Sequence, residues 1–501
     1  DVETLSAIAN KEIGLSYPRE KLLENWKLIL LNQFHDILPG SSIKEVYEDS
    51  KIDYENVLNA GCEMAGDAQG ALVSNINLEE KSIVVFNTTG FNRKDAVVCD
   101  IPCENEFAIF VYFCNEVAYQ KIYDGKIVFI ADVCAKGYSS FAVKAVAPKK
   151  VEDVNATIKN AETPFFSVEF NNEGNIAKLI HKKSGRSVAP DGETVGKVIA
   201  YQDRPHNHEA WDIKCYFDEK SWDLDFKNAE IIEHGAVRVV YKVERTFRKS
   251  TFTEFYCIYN DLERIDVDYE ADWHEDHVVL KADYPVDVNA TKATFDIQFG
   301  NVERSTTTNT TWEFAQFEES MHKWVDLSDN SFGLSILNDC KYGCDVKHGR
   351  IRPTLFRCAT RPNTIQDREF HSFTFSIYPH ENRVNDSNVV KEAYNVNYPL
   401  YAVVSEANNG ALPSDYSLVS CDKDNVVIET VKVAEDSDCI IVRAYETWNC
   451  KTPATLTFAG KIKEATECNL LEEEDESVEY TENTVSATFK PFEIKTFKIK
   501  F

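Results

Sequence analysis

Val237-Arg238-Val239-Val240-Tyr241-Lys242-Val243 places an apolar side chain at every second position, on Val237, Val239, Tyr241 and Val243. Successive side chains of a strand point to opposite faces, so a period of two describes a strand with one face buried. The same alternation recurs at Ile265, Val267 and Tyr269, at Phe295, Ile297 and Phe299, and at Phe373, Phe375 and Ile377. Phe166, Val168 and Phe170 alternate too, and run into Asn172-Glu173-Gly174, which predicts a hairpin turn. Many half-buried strands with almost no helix between them imply a large antiparallel sandwich. On its N-terminal side, polar residues 147–163, flanked by Pro148 and Pro164, read as a linker. On its C-terminal side a second polar segment, about 379–398, precedes a last β block ending at Phe501. The acidic run Glu472–Glu476 reads as a solvated loop.

Farther upstream, Ile83–Phe86, Ala96–Val98 and Ile127–Ile130 read as short strands. Before about residue 75 the period is helical. Leu5, Ile8, Ala9 and Ile13 share one face, and Leu22, Leu23, Trp26, Ile29, Leu30 and Gln33 recur at helical spacing. Pro18 suits a first helical turn, Pro39-Gly40 stops the helix, and Ser42 with Glu45 has the capping-box spacing that would restart one. The expected fold is multidomain and mainly β. It has a three-helix bundle at 1–76, a small β-sandwich at 77–150, a large antiparallel supersandwich at 160–382 and a C-terminal β-sandwich at 396–501.

A chain of 501 residues exceeds what one core of about 250–300 residues supports. Its net charge of −29 excludes nucleic acid as a partner, since phosphate binding takes clustered Lys and Arg. No run approaches the roughly 20 apolar residues of a membrane span. No Cys-x-x-Cys pair occurs among the 14 cysteines, and Cys340 and Cys344 lack the partners of a zinc finger. With no signal-peptide pattern, reduced buried thiols in a cytoplasmic protein are expected, which makes the Asn87-Thr88-Thr89 and Asn309-Thr310-Thr311 sequons incidental. The chain opens inside a helical pattern and without Met, as a fragment or processed product would.

Chemistry concentrates in Asn32-Gln33-Phe34-His35-Asp36-Ile37-Leu38-Pro39-Gly40-Ser41-Ser42, where a histidine and a carboxylate sit side by side at a helix C-terminal end. For an arbitrary His-Asp pair a helix cap would suffice. Here Gln33, His35 and Asp36 crowd onto an otherwise apolar helix end, which implies a lined cavity. A neutral imidazole ligates zinc or a similar ion, and the carboxylate can share that ion, orient the ring or accept substrate hydroxyls. A catalytic zinc takes three or four protein ligands. His206, His208, His274, His277 and His322 form no convincing second cluster in sequence, and His274 and His277 read as solvated.

Residues 32–43 resemble the motif that opens the middle helical domain of glycoside hydrolase family 38, the class II α-mannosidases, in its cytosolic or bacterial branch. The resemblance continues in order through 201–205 and 210–213, 284–288, 298–300, 302–304, 309–312, 322–324, 337–343, 378–380, 470–473 and 490–494. It departs from the branch at Asn207-His208, at Glu209 (usually Asp) and at Cys344 (usually aromatic).

By this resemblance the large sandwich is galactose-mutarotase-like, and the activity is retaining hydrolysis of terminal α-mannosides of oligosaccharides. His35 is a ligand of a divalent metal, zinc or alternatively cobalt, and Asp36 contacts mannose hydroxyls. The remaining metal ligands, the nucleophile and the general acid belong to an N-terminal domain that this sequence does not contain, so the chain alone is expected to be inactive. The 203–212 loop, with Asp203, Trp211 and Asp212, reaches the active-site rim, and the 338–343 turn brings Tyr342. The competing reading of both is structural, with Trp211 a packed anchor of a bulged loop. A non-catalytic carbohydrate-binding or scaffolding β-protein is the main alternative function, and a mutarotase-like epimerase a third. Homo-oligomerisation is left open.

Overall fold

The computed structural model describes residues 1–101, 107–111, 115–122 and 125–501, which divide into two compact units. One comprises Asp1–Leu30, Asp53–Val151 and Tyr398–Phe501; the other comprises Leu31–Ile52 and Glu152–Asn397. Part of the 77–150 segment lies outside the described residues.

The second unit holds sheets of five, six and nine strands. The nine-stranded sheet runs antiparallel through Asp225–His234, Arg238–Phe247, Ser250–Tyr259, Ile265–Asp272, Phe370–Glu381, Phe332–Asn338, Trp324–Ser328, Lys292–Ile297 and Gly300–Ser305. Alternate residues of this sheet, among them Val239, Tyr241, Val243, Val267, Tyr269 and Phe375, enter one core with Ala200, Leu280, Tyr284, Ile351 and Leu355 of the six-stranded sheet. Phe299 breaks the expected alternation. It sits in the turn between Lys292–Ile297 and Gly300–Ser305 at φ 54° and stays exposed.

Two segments expected as connectors are folded elements. Asn155–Thr157 and Asn160–Glu162 form a hairpin that extends the five-stranded sheet. Buried Tyr241 secures it: its hydroxyl lies 2.7 Å and 2.8 Å from the carbonyl oxygens of Thr157 and Asn160. Within 379–398, the helix Val389–Asn397 buries Val389, Val390, Ala393 and Tyr394, and Asn397 donates its side-chain amide to the Asn338 carbonyl at 2.8 Å.

In the first unit, helix α1 (Val2–Ile13) ends at Gly14, whose φ of 69° lets its N–H return to the Asn10 carbonyl. Leu5, Ile8 and Ala9 join a core with Ile428, Val431, Val442 and Phe497. A second core gathers Ile83, Val85, Val97, Phe129 and Phe141. The acidic run departs from a solvated loop at Glu472, which turns inward to Lys432 at 2.9 Å.

Helices α2 (Arg19–Asn32) and α3 (Lys44–Val73) form where the periodicity predicts. Leu22 of α2 is buried, whereas Leu23, Trp26 and Leu30 are exposed, so the expected bundle leaves part of its apolar stripe in solvent. Ser42 lies before the helix rather than in a capping box, and its N–H donates to the Tyr47 hydroxyl. A complete capping box occurs instead at Thr310 and Glu313, opening α4 (Thr311–Ala315). The twelve described cysteines are free; five are buried and four exposed, so burial accounts for only some of the thiols. No helix among the described residues is long and apolar enough to cross a membrane.

The face of the six-stranded sheet turned from the core carries buried charge. Lys281 contacts the Glu318 carboxylate and lies 2.9 Å from Asp345 Oδ2, an ion pair without hydrogen-bond alignment. Arg352 Nε donates to Asp345 Oδ1 at 2.8 Å. Burial pulls the Lys281 pKa down, but Asp345 and Glu318 outweigh it and leave it raised. Removing one partner of a buried pair strands the others. Lys281→Met should therefore cost about 3–5 kcal/mol in a denaturant titration.

His380 lies inside the nine-stranded sheet with Nε2 2.8 Å from Asp326 Oδ2. Burial opposes the imidazolium, but Asp326 outweighs burial and the pKa is raised above 6.5. The stabilisation this pair contributes is present in full below the ordinary imidazole value and is lost as pH rises through the folded one. Asp326→Asn should flatten that fall, read as the urea midpoint against pH between about 6 and 9.

Candidate functional site

His35 lies just past the end of α2, in the turn that leads to α3. Backbone bonds from Ile37 and Leu38 to the Phe34 carbonyl, and from Gly40 to the Ile37 carbonyl, coil this turn. Its side chain is 78% exposed and that of Asp36 45%, with His35 Nε2 3.6 Å from Asp36 Oδ2. The Phe34 ring sits 4.3 Å from the imidazole, centroid to centroid, and Phe34 and Leu38 are themselves exposed. Both polar groups are thus presented outward, not folded into the interior.

The far side of the turn approaches Gln366. A Cβ on Gly40 would stand 3.1 Å from Gln366 Nε2, and the φ of 77° at Gly40 suits glycine. Tyr47, on the first turns of α3, accepts from the Ser42 N–H at 2.9 Å and lies 3.3 Å from the Ile37 carbonyl. Burial raises its phenol pKa, the Ser42 hydrogen bond opposes this, and the carboxylates of Asp367 and Asp36 add to the rise. Burial also pushes the Asp367 carboxyl pKa up, against the opposing charges of His371 and Lys341.

The 203–212 loop is tied to the segment that leads to Gln366. Asp203 is buried, and Arg357 grips both its oxygens at 2.5 Å and 3.2 Å while donating to the Asp212 carbonyl at 2.9 Å. Asp203 therefore anchors the loop instead of facing an open rim. Glu209 accepts from the Thr360 N–H at 2.9 Å and hydroxyl at 2.6 Å; these bonds outweigh burial and hold its pKa low. The Ala210 N–H reaches the Arg361 carbonyl. With its base fixed, the loop displays Trp211 67% exposed on the turn whose two N–H groups return to the His208 carbonyl. Trp211 is no packed anchor. The Asp212 carboxylate is half exposed and paired with Lys214. Tyr342 is exposed, its ring 5.8 Å from that of His322.

Residues 357–366 thus hold the 203–212 loop through Arg357, Thr360 and Arg361 and approach the turn after Asp36 through Gln366. Sequence reading missed Tyr47, Arg357, Thr360, Gln366 and Asp367. The only local signal was the loop composition of Arg361-Pro362-Asn363-Thr364, which marks irregular backbone without naming what it supports. His274 is exposed beside Asp272, as a solvated residue should be. His277 departs from that expectation: its side chain is only 29% exposed, with Nε2 3.5 Å from Glu209 Oε2 and 3.4 Å from Thr360 Oγ1, at the tie between the 203–212 loop and Thr360.

No group of three or more His, Cys, Asp and Glu side chains is placed to hold a metal ion among the described residues. An exposed imidazole with a neighbouring carboxylate fits as one or two donors of a catalytic ion, short of the three or four such an ion takes. Retaining glycoside hydrolysis also requires one carboxyl held protonated. Asp203, Glu209 and Asp212 are each ion-paired or hydrogen-bonded, which is not the apolar, unpaired setting that favours a neutral acid.

Three family profiles match the chain: the alpha mannosidase middle domain over 1–72, the glycosyl hydrolases family 38 C-terminal domain over 161–364, and the glycosyl hydrolases family 38 C-terminal beta sandwich domain over 425–497. Alpha-mannosidase G of Dictyostelium discoideum is 31% identical over 94% of this chain and 47% of its own length. Alpha-mannosidase 2C1 of Mus musculus is 28% identical over 99% of this chain and 47% of its own. A crystal structure of an alpha-mannosidase from Enterococcus faecalis V583 superposes with a TM-score of 0.85 at 16% identity, over 100% of this chain and 65% of that one, and so shares the fold. The chain spans about half the length of the curated relatives it matches. With its middle, C-terminal and C-terminal β-sandwich segments matched in order, the chain belongs to glycoside hydrolase family 38.

Proposed function

We propose that this chain supplies the middle and C-terminal part of a retaining, metal-dependent α-mannosidase that removes terminal α-mannosides from oligosaccharides. The observation that carries this reading is the outward presentation of His35 and Asp36 together on one turn. His35 offers a neutral imidazole as one ligand of a divalent ion, zinc or cobalt. When bound, such an ion polarises and orients the 2- and 3-hydroxyls of the mannose. Asp36 accepts hydrogen bonds from those hydroxyls. Trp211 offers an apolar ring face to a sugar, and Asp212 and Tyr342 offer polar groups at the rim.

The other ligands, the nucleophile and the acid come from the half of the relatives' length that this chain does not match. Paired and hydrogen-bonded carboxylates at 203–212 support that division. The domain reading that accompanies it is a helical bundle at 1–76, a small sandwich at 77–150, a galactose-mutarotase-like supersandwich at 160–382 and a C-terminal sandwich at 396–501. A cytoplasmic setting suits the free thiols.

In the full-length gene product, His35→Ala should lower kcat/KM on 4-nitrophenyl α-mannoside at least about 100-fold and lower bound zinc or cobalt in parallel. Wild-type turnover with wild-type metal content in that variant would reject the proposal. Trp211→Ala should raise KM for oligosaccharides several-fold and leave metal content unchanged; loss of metal would place Trp211 in a different role.

A further inference from the structure

We infer that Tyr47 is the positioning residue for His35 and Asp36. This rests on the reading of those two residues as metal ligand and sugar contact. The Tyr47 hydroxyl takes the Ser42 N–H at 2.9 Å and reaches the Ile37 carbonyl at 3.3 Å. One phenol thereby joins the two flanks of Leu38-Pro39-Gly40-Ser41, immediately after Asp36. Backbone bonds coil the chain from Phe34 to Gly40, but Pro39 supplies no N–H to extend the ladder toward α3. The tyrosine adds the tie from the Ile37 carbonyl across to the Ser42 N–H.

A second contact restrains the turn from its other side. Gly40 approaches Gln366 closely enough that a Cβ would press on its amide at 3.1 Å. Buried Ser41 Oγ and Gln366 Oε1 have no hydrogen-bond partner in the structure. The approach to Gln366 is therefore one of shape, and the side-chain hydrogen bonds that brace the turn are those of Tyr47 to Ile37 and Ser42. Removing the hydroxyl alone frees the Ile37–Ser42 turn and blurs the aim of the imidazole, while the aromatic ring keeps its packing.

The test compares Tyr47→Phe and His35→Ala in the full-length gene product. It uses cobalt titration followed by the visible spectrum, kcat/KM on 4-nitrophenyl α-mannoside, thermal midpoint, and amide exchange at Ser42. Tyr47→Phe should weaken cobalt binding about tenfold and alter the cobalt spectrum. Ser42 exchange should accelerate, with the thermal midpoint within about 3 °C of wild type. If His35→Ala abolishes cobalt binding while Tyr47→Phe keeps wild-type affinity and spectrum, the positioning role is overturned. If His35→Ala binds cobalt normally, the metal-ligand reading fails instead, and the positioning role that rests on it falls with it. Should Tyr47→Phe not fold, 4-fluorophenylalanine at position 47 carries the test: it keeps the ring and much of the hydroxyl's volume without the O–H, and an unchanged cobalt affinity and spectrum there overturn the inference.

Discussion

Arg357 sets one edge of its guanidinium on the 203–212 loop: Nε and Nη2 go to the two oxygens of buried Asp203, and Nη2 also to the Asp212 carbonyl. A planar fork on a carboxylate fixes direction as well as distance, which a lysine could not do. Thr360 and Arg361, the next residues of the same segment, take Glu209 and the Ala210 N–H. The 203–212 loop thus hangs from one short piece of chain by side-chain and backbone bonds in parallel. With its base immobilised this way, the loop presents Trp211 to solvent. The same piece of chain continues to Gln366, against which the His35 turn rests.

Buried charge recurs through the second unit, and each instance is paired. Lys281 sits between Glu318 and Asp345, Arg245 bonds Glu254 at 2.6 Å, and His380 faces Asp326. An unpaired ion at such depth would be strongly destabilising. The pairs lie in or beside regular strands, where backbone ladders already fix their spacing. Chemistry that must meet solvent is placed differently, on loops and turns past strand and helix ends, where side chains do the fixing.

That division explains what was legible in the sequence. Strands such as Arg238–Phe247 and Ile265–Asp272 announced themselves, because a half-buried strand writes its period directly into the residue order. The hairpin at 155–162 did not, because it is short and polar and is ordered by Tyr241, some eighty residues away. The helix Val389–Asn397 was hidden in a polar segment whose few apolar residues are the ones it buries. Phe299 matched the alternation by residue type and missed it by backbone conformation. At the site, His35 and Asp36 could be named from their motif, but Asp203 could not be told from Asp212. Both are aspartates in one polar loop, and only the distant Arg357 makes one an anchor and leaves the other at the surface.

The orientation of His35 is consequently a tertiary property, although the residue itself is conspicuous in the chain. Backbone bonds to the Leu31 and Phe34 carbonyls carry the chain past α2 as far as Leu38, and Pro39 and Gly40 then end the helical ladder. Beyond that point the turn is supported by α3 through Tyr47 and approached by Gln366, residues that follow it by about ten and more than three hundred positions. A turn supported by residues so far apart in sequence is complete only once those parts of the second unit have folded beneath it. Folding of the large sandwich and presentation of the imidazole are then one event, because the segment that holds the 203–212 loop is the one that supports the turn.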